Sequence, residues 1–113
     1  MARATKVLTN INEEIVIGDV DEINGAASIQ YGAGGAGTLV LEVSSQDDGA
    51  NPPVDQWVQV KMFNPAIAVN DFVDNLVAVG YAWAEIVGAR KVRLRKSVAG
   101  AGGVRATLTV NNS

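Results

Sequence analysis

The chain has 113 residues, of which 48% are hydrophobic and 19% charged, and this length suits one domain with a modest core. It contains no cysteine and no histidine, which excludes disulfides, thiolate chemistry and metal sites built on sulfur or imidazole. The net charge of −3 disfavours nucleic acid as the main partner, and no apolar run is long enough to span a membrane. The first residues lack the apolar stretch of a secretory signal, so we expect synthesis in the cytoplasm without export.

The composition predicts an all-β protein. Valine and isoleucine together number 24 against six leucines, and β-branched side chains favour pleated sheet over helix. No linker is visible along the chain. We therefore predict a single domain over residues 1–113, folded as an antiparallel, jelly-roll-like β-sandwich of about eight strands.

The first third of the chain carries three strand signals. Residues 1–12 alternate weakly and predict an N-terminal arm or an edge strand. Glu14–Val20 contains a compact apolar run, and Ala27–Tyr31 alternates with Ile29 facing inward. The glycine-rich stretch 32–37 predicts a turn and not a phosphate loop, because a strand follows it where a phosphate site needs a helix.

The middle of the chain is more varied. Thr38–Ser44 alternates clearly, and an eleven-residue polar loop, 45–55, follows it. The acidic residues of this loop lack the spacing of a calcium-binding loop, so we expect a solvated loop. Trp57–Met62 alternates again, and for residues 64–80 we expect a loop with one helical turn followed by a strand.

The last third of the chain alternates most regularly and segregates charge. Trp83–Val87, Val92–Lys96 and Val104–Val110 read as strands joined by glycine-bearing turns. From Arg90 onward there are six basic residues and no acidic one, whereas the part before Arg90 holds three basic and all twelve acidic residues. We interpret these opposed segments as surfaces that join neighbouring subunits.

One side of this region forms a predicted basic stripe. Its members are Lys91, Arg93, Arg95 and, across the expected hairpin, Arg105. The stripe is either a solvated face paired with Glu42 or Glu85 on a neighbouring strand, or a docking stripe steered onto an acidic patch of a partner. Because like charges on adjacent strands repel unless something neutralises them, we favour docking.

The two tryptophans, Trp57 and Trp83, each begin a strand-like segment. In a core built from small side chains, we expect them to fill the ends of the interior. The alternative is an exposed sugar-binding platform formed by Trp57, Trp83, Asp47 and Asp48.

The sequence offers few candidate catalytic groups. The candidate acid–base groups are the carboxylate pairs Glu13–Glu14 and Asp71–Asp74, and nothing marks a cleft around either pair. Serine and threonine lack their usual histidine base. We predict no enzymatic activity, no cofactor and no metal site.

The quoted strands carry a resemblance to a known group of proteins. At Ala82–Arg95 and then Gly102–Leu108, the chain resembles small β-sandwich modules of tailed-bacteriophage virions: a tryptophan, a glycine, a basic alternating strand, a glycine turn and a final alternating strand. Gly37–Ser44, the Asp48-Gly49 turn and Trp57–Val60 look like the preceding hairpin of those modules. The chain departs from their pattern at an insertion, Asn51–Asp55, and at Ala89, where a larger residue is common.

The resemblance implies a virion structural protein without catalytic residues. We expect a capsid decoration or cement protein that stabilises the head shell by non-covalent docking on the major capsid protein or other virion subunits. Surplus alanine and valine surface favours a homo-oligomer, with a trimer expected, on the capsid surface. The alternatives are a carbohydrate- or receptor-binding module of a tail or fibre and an assembly subunit of a tail or baseplate.

Overall fold

The computed structural model describes residues 2–18, 23, 25–46, 48–64 and 72–111, and the regular elements in these ranges are all β-strands. The strands are β1 Ala2–Leu8, β2 Glu14–Gly18, β3 Ala26–Tyr31, β4 Thr38–Ser44, β5 Val58–Val60, β6 Met62–Phe63, β7 Phe72–Val73, β8 Gly80–Glu85, β9 Lys91–Val98 and β10 Val104–Asn111. They form a six-stranded sheet in the order β1-β10-β3-β8-β6-β7 and a four-stranded sheet in the order β2-β9-β4-β5. The predicted all-β sandwich is therefore confirmed.

The strand pairing follows a jelly-roll-like course. Four antiparallel pairs, β1 with β10, β2 with β9, β3 with β8 and β4 with β5, alternate between the two sheets like a long hairpin rolled up on itself. The short strands β6 and β7 extend the six-stranded sheet beyond β8. The predicted number of about eight strands thus corresponds to the four rolled pairs.

The core lies between the sheets and is filled by the inward residues of alternating strands. Ile29, Leu41, Leu94 and Leu108 are completely buried there, each with 0% exposure. Several inward positions hold only alanine, which keeps the core thin as the composition suggested; the buried alanines are Ala27, Ala82, Ala84, Ala89 and Ala106. This alternation fixes which side chains remain on the two outer faces of the sandwich.

Two segments, residues 1–12 and 64–80, had more than one predicted structure. Of the two structures expected for residues 1–12, the described part forms an edge strand, because β1 pairs with β10 along its whole length. Residues 65–71, where the helical turn was expected, lie outside the described residues. After them, Leu76 forms an isolated bridge with Leu39, and the next strand begins only at Gly80.

The two glycine-rich stretches, 32–37 and 99–103, are crossings between the sheets and not hairpin turns. They pack against each other, and the amide of Ala36 donates to the carbonyl of Ala101 at 2.9 Å. A Cβ atom at Gly35 would collide with the carbonyl oxygen of Gly103, so this contact requires glycine. Two backbones can approach this closely only where side chains are absent.

A buried lysine closes the same end of the sandwich. Lys96 of β9 is 0% exposed, and its ammonium donates to the carbonyl oxygens of Leu8 (3.3 Å), Thr9 (2.8 Å) and Gly102 (3.2 Å). Backbone carbonyls therefore satisfy the three donors of the ammonium. Lys96 thereby ties the end of β1 to the crossing that precedes β10.

Candidate binding surfaces

The outer face of the four-stranded sheet carries three of the four predicted stripe residues. Lys91, Arg93 and Arg95 alternate along β9 with the buried Val92 and Leu94, so their side chains project outward. Strand β9 lies between β2 and β4, and both of these neighbours present carboxylates to it. The basic stripe is consequently the centre of a mixed-charge face.

Each of these three cations has a carboxylate partner within the chain. Lys91 Nζ lies 2.8 Å from Asp55 Oδ2. Arg93 contacts Glu14 at 3.3 Å and Glu42 at 2.9 Å, and Arg95 contacts the same Oε1 atom of Glu42 at 2.8 Å. The alternative in which stripe residues pair with Glu42 on a neighbouring strand therefore describes this face.

Glu42 is the central carboxylate of this network and is 8% exposed. Burial raises the pKa of Glu42, but hydrogen bonds from Arg95 and Arg93 and their charges outweigh it, so the pKa lies below its ordinary value. The carboxylate consequently stays ionised at neutral pH. With two guanidinium groups bound to one carboxylate, the repulsion between the arginines is reduced without an external partner.

Trp57 belongs to this charged face and not to the core. Its side chain is half-buried, and the guanidinium carbon of Arg93 lies 4.3 Å from the centroid of the ring. This geometry is a cation–π contact. Arg93 therefore has three partners, namely the ring of Trp57 and the two carboxylates. The expectation that Trp57 fills an end of the interior is therefore wrong.

Arg105 does not join the basic stripe. The expected hairpin is absent, because β9 pairs with β2 and β4, whereas β10 pairs with β1 and β3 in the other sheet. Arg105 is exposed on the outer face of the six-stranded sheet, opposite Val7 of β1. The glycines at 100, 102 and 103 allow the chain to cross between sheets at this point.

The predicted sugar platform is likewise not assembled. Trp57 lies against the four-stranded sheet, whereas Trp83 stands on β8 of the six-stranded sheet. Asp47 lies outside the described residues. The Oδ1 atom of Asp48 accepts hydrogen bonds from the amides of Ala50 (2.9 Å) and Val54 (3.1 Å), and these bonds lower its pKa. The carboxylate of Asp48 is therefore used to shape its own loop.

Asp48 closes a compact loop that we call the tip loop, residues 48–54. The amide of Asp48 also donates to the carbonyl of Val54 at 2.8 Å, and below the loop the amide of Gln56 donates to Gln46 at 3.0 Å. The exposed side chains of the closed loop are largely apolar; they include Ala50, Pro52, Pro53 and Val54. The insertion seen in the sequence thus forms an apolar projection whose base is fixed by hydrogen bonds.

The outer face of the six-stranded sheet holds a row of side chains in register across all six strands, which we call the Arg3 row. From β1 to β7 its members are Arg3, Thr109, Ser28, Trp83, Phe63 and Phe72. A second row, called the Thr5 row, runs beside it and consists of Thr5, Thr107, Gln30 and Tyr81. Directly opposed residues of paired strands share a face, so both rows lie on the same side.

The aromatic end of these rows is open to solvent. Trp83 is 36% exposed and Tyr81 is 46% exposed, so Trp83 does not fill the interior as expected. The reason is its position, because the neighbours Ala82 and Ala84 face inward and the pleat places Trp83 outward. Phe63 contacts Trp83 with ring centroids 5.4 Å apart and holds the indole in place.

Two shallow grooves, each of about 410 Å³, cross this face. They share Arg3, Ser28, Tyr81 and Thr109 as lining residues, and Trp83 lines the first groove only. Arg3 and Tyr81 were not among the predicted site residues. The sequence does contain a signal for Tyr81. It lies two positions before Trp83 in one alternating segment, so the two side chains are on the same face of the strand.

The described members of the candidate acid–base pairs make other contacts. The carboxylate of Glu13 accepts the amide of Asn10 at 2.7 Å, which lowers its pKa, while Glu14 pairs with Arg93. Asp74 lies 4.0 Å from Lys61, and Asp71 lies outside the described residues. Within the described ranges, no group of three or more acidic residues is arranged to hold a metal ion.

Comparisons of the chain with protein-family models, with curated proteins and with solved structures return no match. The described part of the chain holds no helix with the length and apolar character that a membrane span requires.

Proposed function

We propose that the chain is a bacteriophage virion structural protein, a capsid decoration protein that stabilises the head shell by non-covalent docking. The rolled order of the two sheets supports the proposal, since jelly rolls are a frequent architecture of viral capsid domains. The pattern of the C-terminal strands, which resembles virion modules of tailed phages, supports it independently. A fold alone does not define a function, so a docking protein also needs a docking surface.

The observation that carries the proposal is the tip loop. An apolar loop on a soluble domain costs free energy unless a partner covers it, and a loop with a fixed base loses little conformational entropy on binding. Asp48 and the backbone bond to Val54 supply that fixed base. The tip loop therefore has the properties of a preformed plug for an apolar pocket on the shell.

The turn between β8 and β9 carries a further exposed apolar side chain, that of Val87. The hydroxyl of Ser45 donates to the carbonyl of Gly88 at 3.0 Å, which joins the base of the tip loop to the turn between β8 and β9. Val87 in that turn and Val54 in the tip loop are 68% and 59% exposed. Both residues extend the apolar contact that this end of the sandwich offers.

The basic stripe is a weaker candidate for docking than the tip loop, because Asp55, Glu14 and Glu42 already neutralise it. A contact that buries apolar surface depends little on salt, whereas a charged stripe would lose affinity as salt rises. A homotrimer would present three tip loops to the lattice at once and raise the overall affinity. Binding only to the assembled shell would stabilise the shell by mass action.

Co-sedimentation with emptied head shells, after sedimentation velocity of the free protein, tests the proposal. We expect an oligomer that pellets with the shells equally well at low and moderate salt. Val54→Asp removes pelleting, because a carboxylate cannot enter an apolar pocket without a partner. Val77→Asp is the matched control, since Val77 is 63% exposed against 59% for Val54 and lies outside the tip loop.

Two outcomes would overturn the proposal. One is a chain that stays monomeric and remains in the supernatant at both salt concentrations. The other is pelleting that Val54→Asp and Val77→Asp reduce equally, because the tip loop would then have no special role.

A further inference from the structure

We propose that the outer face of the six-stranded sheet binds an acidic oligosaccharide that lies across the strands along the Arg3 row. A sugar ring packs against Trp83 and Tyr81, and an anionic group of a neighbouring sugar pairs with Arg3. This site is separate from the tip loop and goes beyond the proposed docking function. It also differs from the platform expected from the sequence, since Trp57 and Asp48 take no part in it.

The aromatic end of the row suits the apolar face of a sugar ring. Such a face needs a flat, exposed and rigid aromatic surface, and exposed tryptophan and tyrosine supply this at low cost in conformational entropy. Phe63 and Phe72 follow Trp83 in the row and contact each other with ring centroids 6.0 Å apart. Trp83 is therefore supported from one side and open from the groove.

The middle of the grooves suits the hydroxyl groups of a sugar. Ser28 and Thr109 of the Arg3 row and Gln30 of the Thr5 row line the grooves with short, uncharged donors and acceptors, and Asn111 lies at the edge. A concave surface with a few polar groups beside aromatic side chains is the usual composition of a small-molecule site.

The charge of the grooves selects an acidic ligand. Among the described residues that line them, Arg3 is the only charged one. Its Nε atom donates to the hydroxyl of Thr109 at 3.3 Å, and within the described ranges Arg3 forms no ion pair. Arg93 and Arg95 of the charged face, in contrast, are each paired with at least one carboxylate. Arg3 therefore offers an unpaired planar donor that a sugar carboxylate fits.

The length of the row indicates more than one sugar. Arg3 and Trp83 are separated by three strand spacings, or about 14 Å at the usual distance between strands. This backbone spacing exceeds the width of one sugar ring, so contacts along the whole row suit two or more linked rings. The ligand is therefore an extended oligosaccharide that runs perpendicular to the strands.

A glycan array tests the proposal when each uronate- or sialate-containing oligosaccharide stands beside its carboxyl-reduced counterpart. We expect binding to acidic members and affinity about tenfold lower for the reduced forms. Arg3→Ala abolishes this preference, because it removes the partner of the carboxylate. Arg105→Ala is the control, since it removes an arginine from the same face outside both grooves and leaves binding unchanged.

Tryptophan fluorescence measures ligand binding in a protein whose proposed site is unchanged. In Trp57→Phe, Trp83 is the only indole left, and a bound acidic oligosaccharide shifts its emission and shields it from acrylamide. Trp83→Ala and Tyr81→Ala each weaken array binding, and Tyr81→Ala keeps the test valid if Trp83→Ala does not fold. Val54→Asp leaves glycan binding intact, so this test and the shell-docking test fail independently.

Three results would overturn the proposal: no acidic oligosaccharide bound, equal affinity for the reduced forms, or equal losses in Arg3→Ala and Arg105→Ala. Capture of a protein and not of a glycan by the same face would also overturn it.

Discussion

Replacing Glu42 with glutamine tests whether the chain itself neutralises its basic stripe. Glutamine keeps the shape and one acceptor oxygen but removes the charge shared by Arg93 and Arg95. The two guanidinium groups then lie close together with no anion between them. We expect a clear loss of stability, in spite of the near-identical size of the two side chains.

The magnitude follows from burial and from the bonds lost. The side chain of Glu42 is 10% exposed, and those of Arg93 and Arg95 are 19% and 24% exposed, so water screens the network only weakly. A hydrogen bond to a charged group contributes about 1 kcal/mol more than a neutral one, and two such bonds are affected. With the restored repulsion, unfolding becomes easier by about 2–3 kcal/mol, or a Tm lower by roughly 10 °C for a domain of this size.

Urea unfolding at neutral pH, followed by circular dichroism, measures this loss. Glu85→Gln is the matched control, because Glu85 is exposed on the other sheet and its loss changes stability by less than about 0.5 kcal/mol. A Glu42→Gln protein as stable as Glu85→Gln would refute the assignment of Glu42 as the centre of the network.

The pH dependence of the same pair of proteins checks the sign. The folded-state pKa of Glu42 is depressed below its ordinary value of 4.5, so its contribution is fully present above that pH. It is lost as the pH falls through the depressed pKa, because the carboxylate then becomes protonated in the folded state. The stability curves of the wild type and of Glu42→Gln should therefore converge in acid and separate toward neutral pH.

Three further changes address the end of the sandwich and the tip loop. Lys96→Met leaves backbone carbonyls without donors and lowers the unfolding free energy by about 3 kcal/mol in urea, whereas the exposed Lys61→Met changes little. Gly35→Ala forces the two crossings apart and costs about 2 kcal/mol by the same measurement, with Gly80→Ala as the milder control. Asp48→Ala opens the tip loop and speeds its cleavage by thermolysin, and an unchanged cleavage rate would contradict the role given to the carboxylate.

Several strands were predictable from the sequence, but their partners were not. The predicted strand Trp57–Met62 was wrong as one element, because it is divided into β5 and β6, which belong to different sheets. Period-two alternation is a local property, so β9 and β10 appear near their predicted positions. Pairing is a long-range property: Arg93 reaches Glu42 across 51 positions and Glu14 across 79. The glycines between β9 and β10 are compatible with a hairpin and with a crossing, so the sequence predicted Arg105 beside the stripe although β10 belongs to the other sheet.

At Trp83 and Lys96, the residue type and the position in the alternating strand predict opposite burial. In both cases the position in the strand determines the burial that is observed. Tryptophan is large and apolar, which favoured the core for Trp83, but its neighbours Ala82 and Ala84 occupy the inward positions. Lysine is normally exposed, yet Lys96 has the parity of Leu94 and is buried. A shift of either strand by one residue would expose all of its apolar side chains to solvent. One exposed tryptophan or one buried lysine therefore costs less free energy than the shift.

The pairing of β1 with β10 has a consequence for how the protein is made. Strand β10 lies between β1 and β3, so the six-stranded sheet lacks an interior strand until the last of its segments has left the ribosome. During synthesis β1 has no hydrogen-bonded strand partner until β10 is made, and the paired residues are far apart in the chain: Leu8 pairs with Val104 and Ala2 with Val110. Contacts between such distant segments make folding slow, because the intervening chain must be ordered first. Newly made copies therefore pass through a period with open strand edges, during which a chaperone or a neighbouring copy has its best opportunity to bind them.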